Sequence, residues 1–381
     1  MVDFIYHNPT KIVFGKNKES LIGAEIAPFG VKKVLLCYGS ERIKSDGLYK
    51  KVTDSLVKEG IAWVELGGVV SNPKLSKVKE GIALAQKEHV EAILAIGGGS
   101  VLDSSKTIAV GALVKNDVWD FFIGKAAIEK ALPVFAVMTL AATGSEMNGF
   151  AVVSDEETKQ KYSIHSEHIY PKVSILNPEL TKSVPNDYLA YSAVDIIAHV
   201  IEGYFTASTQ PHFQSRMVEG IVKTVMESTE ILLQNPEDYN ARAEFMWAAT
   251  QALNGSTTAG TNPSGFPNHM IEHSLSALFN IAHGAGLAIV IPAWMQWFKN
   301  QNHAQFERFS KEIFGLNSVD EGILALKNWF AKIGAPVHLE EASISKNEIS
   351  AIAENAAQTA VVWGMNAVYT KRAIEDILHN A

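Results

Sequence analysis

The sequence predicts an α/β N-terminal domain, residues 1–184, followed by an all-α C-terminal domain, residues 185–381. Three observations predict this. The first half alternates short, continuously apolar runs with amphipathic stretches, the pattern of a parallel sheet with helices on both faces. Beyond about residue 180 the strand-like runs almost vanish and helical periodicity takes over. The transition falls at 182-KSVPNDYLA-190, where Pro185 precedes the cap-like pair Asn186-Asp187. A cleft between the two domains is expected.

Taken in order, KKVLLCYG (32–39) reads as a strand and GLYKKVTDSLVKEG (47–60) as a helix. AWVELGG (62–68) is strand-like and KLSKVKEGIALAQKEH (74–89) helical. EAILAIGGG (91–99) and PVFAVMTL (133–140) are apolar on both faces, so they read as buried central strands. In the second half VEGIVKTVMESTEILLQ (218–234), ARAEFMWAATQALNG (241–255) and VDEGILALKNWFAKIG (319–334) carry helical spacing.

Composition narrows the function classes. Hydrophobic residues make up 47% of the 381 and charged residues 19%, an ordinary globular balance with a substantial core in each half. The net charge of −8 argues against nucleic acid or an anionic membrane surface as the main partner. A single cysteine, Cys37, excludes an intrachain disulfide and a cysteine-based zinc site; in KKVLLCYG it reads as a small buried apolar residue. The start MVDFIYHNPTKIVFG has no secretory pattern, and 286-GLAIVIPAWMQWF-298 is too short to span a bilayer. A soluble cytoplasmic protein is expected.

Two polar turns follow apolar strands. In AIGGGSVLDSSKTIAVG (95–111) a strand runs into Gly97-Gly98-Gly99-Ser100 and a helix begins at once. Backbone amides at a helix N-terminus attract anions, and glycines allow a phosphate close approach. Neither the G-x-G-x-x-G fingerprint, whose last position is Leu102, nor the Walker pattern is met. A phosphate cradle and a tight strand-to-helix turn both remain open. The second turn, 139-TLAATGSEMNG-149, would share the carboxyl edge of the sheet, where open α/β sheets bind ligands.

The second half places polar groups on apolar helical faces. In 195-DIIAH-199 an aspartate and a histidine stand one helical turn apart. In 268-NHMIEHSLSALFNIAHGAGLAIVIP-292, His269 and His273 are one turn apart, and His283-Gly284 suggests a helix start. These groups are either a hydrogen-bonded core set or a metal site. Burying several imidazoles and a carboxylate is costly unless they are paired or liganded. One carboxylate with imidazoles suits Zn²⁺ or Fe²⁺. The HExxH order is absent, because Glu272 directly precedes His273.

Taken together, GGGSVLDSSK, ATGSEMN, DIIAH and H-x3-H-x9-H-G resemble the iron-dependent (group III) alcohol dehydrogenase family, most closely its NADPH-linked butanol dehydrogenase and aldehyde reductase branch. YHNPTKIVFGK, DVWDFF (117–122), NARAEFMWAATQALNG (240–255) and SLSALFNIAHGAGLAIVIPAWM fit the same branch, so the likeness covers nearly the whole chain. It implies a dinucleotide-binding first domain and a metal-binding second domain. The implied metal ligands are Asp195, His199, His269 and His283, with Fe²⁺ or Zn²⁺ bound. His273 would face the reaction centre rather than the metal; as an imidazole that titrates near neutrality it is the candidate for proton delivery. Gly97, Gly98, Gly99 and Ser100 would hold the pyrophosphate. Asp103, Thr139, Thr143, Ser145 and Lys161 would line the rest of the cofactor site. Small aldehydes or alcohols are the implied substrates, and a homodimer paired around KIVFG the implied assembly.

Cofactor preference rests on 37-CYGSERIKSDG-47. Gly39 and Ser40 leave room for a 2′-phosphate and Arg42 and Lys44 favour it, so NADP(H) is expected, with NAD as the alternative. The branch usually has Gly-Gly-Gly-Ser after this tyrosine; here Glu41 intrudes and would weaken a phosphate contact. Asn177-Pro178 replaces the family's Asp-Pro, where a turn cap is expected. The segment 260-GTNPSGFPN-268 departs from the branch beside the expected substrate pocket. The rival readings are a glycerol dehydrogenase-like polyol oxidase, a dehydroquinate synthase-like metal-dependent lyase and a non-catalytic nucleotide-binding protein.

Overall fold

The computed structural model describes residues 1–381. Each of the four apolar runs read from the first half forms a strand. They are β2 (Lys33–Tyr38), β3 (Ala62–Leu66), β4 (Ala92–Gly97) and β5 (Val134–Met138). Two short strands join them, β1 (Lys11–Phe14) and β8 (Val173–Leu176), giving a six-stranded parallel sheet in the order β1-β8-β5-β4-β2-β3. Every residue of β4 and β5 is buried, as strands covered on both faces require. On one face Val34, Leu36, Leu94, Ile96, Phe135 and Val137 form a core with Val52 and Leu56 of the helix Leu48–Lys58. Burial of each such side chain contributes roughly 1.5–3 kcal/mol. Cys37 lies fully buried in β2, and burial pushes its thiol up to about 12, so it is an inert core residue.

β8 has no counterpart in the sequence reading, and neither does a separate hairpin. β6 (Phe150–Asp155) and β7 (Gln160–His165) form an antiparallel hairpin outside the main sheet. Asn177, expected to cap a turn, does so: its Oδ1 accepts from Glu179 N (3.1 Å), and its Nδ2 donates to the buried Glu19 (2.9 Å).

The chain divides into two compact units, Asn8–Ser183 and Val184–Ala381, the latter joined by Met1–His7. In the second unit, Val2 N donates to Gly260 O (3.0 Å). A Cβ on Gly260 would strike Met1 and Phe4. Gly260 also has φ 72°, so the glycine serves both the turn and the overlying strap. The rest of this unit is helical. The helix His283–Phe298 runs through Pro292, which therefore lies inside the helix rather than ending it. No helix of the chain is long and apolar enough to cross a membrane.

Candidate functional site

Three neighbouring strand ends assemble the first polar cluster. β4 and β5 pair with Gly97 opposite Met138, and β2 pairs with β4 with Tyr38 opposite Ile96. Gly39-Ser40, Gly97–Ser100 and Thr139–Ser145 therefore leave the same carboxyl edge. Thr139 N donates to Gly97 O (3.0 Å), tying two of these turns together. The helix Gly99–Gly111 starts directly after β4, and no side chain caps it. Its first-turn amides form a ready anion cradle. The glycines also serve packing: a Cβ on Gly97 would lie 2.4 Å from Val101, and one on Gly99 2.5 Å from Thr143. The tight-turn reading is met, and the same lack of side chains would leave room for an anion.

Asp103, Ser145 and Lys161 lie at the same end of the sheet but are engaged with protein partners. Asp103 accepts from Ser145 Oγ (2.7 Å) and from Val152 N (3.1 Å). Lys161 Nζ donates to Asn72 Oδ1 (3.0 Å). Lys106, seen in the sequence but given no role there, is the hub. Its fully buried ammonium donates to Ser145 O (2.7 Å), Ser145 Oγ (2.8 Å), Asn148 O (2.9 Å) and Phe150 O (2.8 Å). Burial pushes the Lys106 pKa down to about 7 against the opposing pull of Asp103 and Glu146. The oxygen cage itself suits the charged form, since an ammonium is a pure donor. Lys106 and Asp103 thereby fix the shape of the turn that carries Thr143 and Ser145.

The second cluster stands on helices of the C-terminal unit. The helix Asn186–Thr206 carries Asp195, His199 and Glu202 at i, i+4 and i+7, one face by spacing. The helix Pro267–Phe279, with Pro267 preset for its first turn, carries His269, Glu272 and His273. Asn280 ends it in the left-handed region, and His283 opens the next helix, His283–Phe298. Two glycines let this helix settle. A Cβ on Gly284 would lie 2.0 Å from Tyr191 O of the first helix, and one on Gly286 would meet Glu272 at 2.7 Å. Gly284→Ala is therefore expected to force the two helices apart. It should lower the unfolding free energy by about 1–3 kcal/mol, read from a denaturant titration; an unchanged midpoint would contradict the close approach.

The geometry converges on one atom. Asp195 Oδ1 lies 3.5 Å from His199 Nε2, 3.6 Å from His269 Nε2 and 3.6 Å from His283 Nε2. Ligands about 2.0–2.2 Å from a common tetrahedral centre stand about this far apart. Asp195 Oδ1 and His269 Nε2 are buried with no hydrogen-bond partner, an arrangement that is costly unless a cation completes it. The backs of two imidazoles are held. His269 Nδ1 pairs with Glu202 Oε2, and His283 Nδ1 pairs with Glu272 Oε2. An ionised carboxylate only accepts, so both rings keep a proton at Nδ1, which leaves Nε2 as the position where a cation could take the place of a second proton. Glu202 also accepts from the backbone N–H groups of Asn268 and His269, fastening the start of that helix. Glu202 escaped the sequence reading, and Glu272 entered it only as the residue that breaks the HExxH order. Their signal was spacing: Glu202 continues the Asp195/His199 face, and Glu272 follows His269 by three.

Charge at the cluster is arranged around Asp195. Burial raises its carboxyl, but His199 and His269 outweigh burial and hold it well below the usual carboxylate range. Burial pushes His199 down to about 3 against the pull of Asp195. His269 is driven the other way: burial opposes protonation, but Glu202 and Asp195 raise it to about 10. A ring flanked by two carboxylates demands positive charge, which a proton or a divalent cation can meet.

A second triad, Glu272, His273 and His283, also has donor atoms within 4.8 Å of one another. It suits a metal less well, because Glu272 already receives Ser276 Oγ and His283 Nδ1. His273 is almost fully buried, with its ring edge-on to Trp363 at 5.2 Å and 5.6 Å from that of His283. Phe266 stands edge-on to His269 at 5.6 Å.

The chain thus joins a parallel α/β unit to a helical unit in which three imidazoles approach Asp195. The chain belongs to the iron-containing alcohol dehydrogenase family. Residues 9–178 match the iron-containing alcohol dehydrogenase model, and residues 189–381 match the C-terminal model of the Fe-containing family. The chain is 38% identical over 364 residues to a probable NADH-dependent butanol dehydrogenase of Bacillus subtilis (strain 168), covering 93% of this chain and 94% of that one. It is 35% identical over 361 residues to an NADPH-dependent aldehyde reductase of Escherichia coli (strain K12), with 92% of each covered. Among solved structures, an NADH-dependent butanol dehydrogenase A from Thermotoga maritima superposes with a TM-score of 0.98 at 48% identity, covering 100% of this chain and 99% of that one.

Proposed function

We infer that the protein interconverts small aldehydes and primary alcohols using a reduced or oxidised nicotinamide dinucleotide and one divalent cation, Fe²⁺ or Zn²⁺. The observation that carries this reading is the convergence of three imidazole Nε2 atoms on Asp195 Oδ1 at 3.5–3.6 Å. Asp195, His199, His269 and His283 would hold the cation. When bound, the cation supplies Lewis acidity toward a substrate oxygen and the dinucleotide supplies hydride chemistry.

The chain's own residues do the rest. Glu202 and Glu272 orient two ligand rings. Phe266 and Trp363 present apolar edges beside His269 and His273, which suits a small aliphatic substrate. Two buried glutamates behind the ligands disfavour a phosphorylated acid, so the lyase reading is the weaker one. The uncapped start of Gly99–Gly111 would receive the pyrophosphate, with Thr139 and Thr143 on the adjoining turn. His273 is the candidate proton donor, since an imidazole titrates near neutrality. Gly39 and Ser40 leave space for a 2′-phosphate, the basis for expecting NADP(H); charge at the same turn opposes it. A homodimer through β1 fits the fold, because β1 is an edge strand of the sheet. A reducing cytoplasm suits the lone buried thiol.

The test is oxidation of NADH and NADPH with butanal, with and without chelator, beside a panel that includes glycerol and 1,2-diols. Butanal turnover lost on chelation and restored by Fe²⁺ or Zn²⁺ is expected. Full turnover in metal-free protein would end the reading, and a preference for glycerol would favour polyol oxidation. His273→Ala is expected to keep its metal and to lose about 10²–10⁴ in kcat; loss of metal in that variant would mean that His273 is itself a ligand.

A further inference from the structure

The carboxyl ends of β2 and β3 carry a charge cluster that nothing in the chemistry above uses. Lys44 Nζ lies 3.0 Å from Glu41 and 2.8 Å from Glu65, over the rings of Tyr38 (5.1 Å) and Tyr49 (5.2 Å). The Tyr38 hydroxyl lies 2.8 Å from Glu41 Oε1 and 3.0 Å from Glu65 Oε2, but its single proton can serve only one of them at a time. The Tyr49 hydroxyl donates to the other oxygen of Glu65. The neighbouring Arg42 is turned away, with Nη1 donating to Ser183 O (3.0 Å). One ammonium therefore answers two carboxylates, and both cations of the turn are engaged with protein partners.

We propose that Glu41, held by Tyr38 and Lys44 and backed by Glu65, makes the protein favour NADH over NADPH. The proposal rests on the dinucleotide reading of the strand ends. In sheets of this kind the adenosine ribose lies beyond these ends, where an acidic residue accepts from its hydroxyls and a cation accepts a 2′-phosphate. Glu41 keeps acceptor capacity for ribose hydroxyls, since its side chain is 70% exposed and its oxygens share their donors with Glu65. The same carboxylate repels a phosphate and occupies the lysine that would otherwise bind one. Lys44 thus acts as a brace for the acidic pair.

The test is fluorescence titration of NADH and NADPH against the wild-type protein and Glu41→Gln. Glu41 is exposed, so the variant should fold. Wild type is expected to bind NADH more tightly by about tenfold or more, and Glu41→Gln to narrow that ratio by about tenfold through tighter NADPH binding. Gly39→Asp is a poorer probe, because a Cβ there would lie 3.2 Å from Val69 O. An unchanged NADH/NADPH ratio in Glu41→Gln, or a wild type that prefers NADPH, overturns the role of Glu41 alone. Failure of both dinucleotides to bind overturns the dinucleotide reading instead.

Discussion

Replacing His269 with alanine is expected to leave a folded protein without metal and without turnover. The variant removes one of the three Nε2 atoms that converge on Asp195 Oδ1. A four-ligand centre cut to three loses its closed shell, and the Lewis acidity that depends on it is worth several kcal/mol of barrier. The expected loss is therefore about 10³-fold or more in kcat/KM. The fold should survive, because Glu202 still accepts from the backbone amides at positions 268 and 269. Metal content by elemental analysis and turnover with butanal are the two readouts. One equivalent of metal and wild-type turnover in His269→Ala would show that the cluster is a hydrogen-bonded core set.

Glu272→Gln should weaken metal binding while sparing the metal-free fold. The glutamine keeps the shape that Gly286 leaves room for; its Oε1 can accept from His283 Nδ1 while its Nε2 donates to Ser276 Oγ, whose own proton can turn to Ile281 O. What is lost is the negative charge that makes His283 a better ligand. Such partners typically set metal affinity by about 10–100-fold, and that loss is expected in chelator competition. Unfolding of the metal-free protein should be no easier than in wild type, because a buried charge has been removed. Glu202→Gln would be a less clean variant, since Glu202 also holds the helix start. Equal metal affinity in wild type and Glu272→Gln would reduce the glutamate to a packing role.

The sheet was legible where hydrophobicity is continuous. β4 and β5 are buried on both faces and could be read to within two residues of their ends. β8, four residues long, offers too short a window for periodicity, and β6 and β7 show no clean alternation of burial. The candidate ligands could be picked out because polar groups on apolar helical faces need a reason. Their grouping came from resemblance, since spacing brings Asp195 to His199 but says nothing about His283. Glu202 was missed, and Glu272 given no supporting role, because a glutamate in a helix is usually solvated and only the three-dimensional crossing turns these two inward. Lys106 was noted but given no role for the same reason.

The strap Met1–His7 has a practical bearing on dissecting the molecule. The helical unit is not one continuous stretch of chain, because it draws its cover over Gly260 from the opposite terminus. A fragment beginning at Val184 would carry all four candidate ligands yet leave that turn bare. A bulky fusion placed ahead of Met1 would press on the same spot. Permuting the chain, so that the first seven residues follow Ala381 through a linker, is the cut that respects how this half is built.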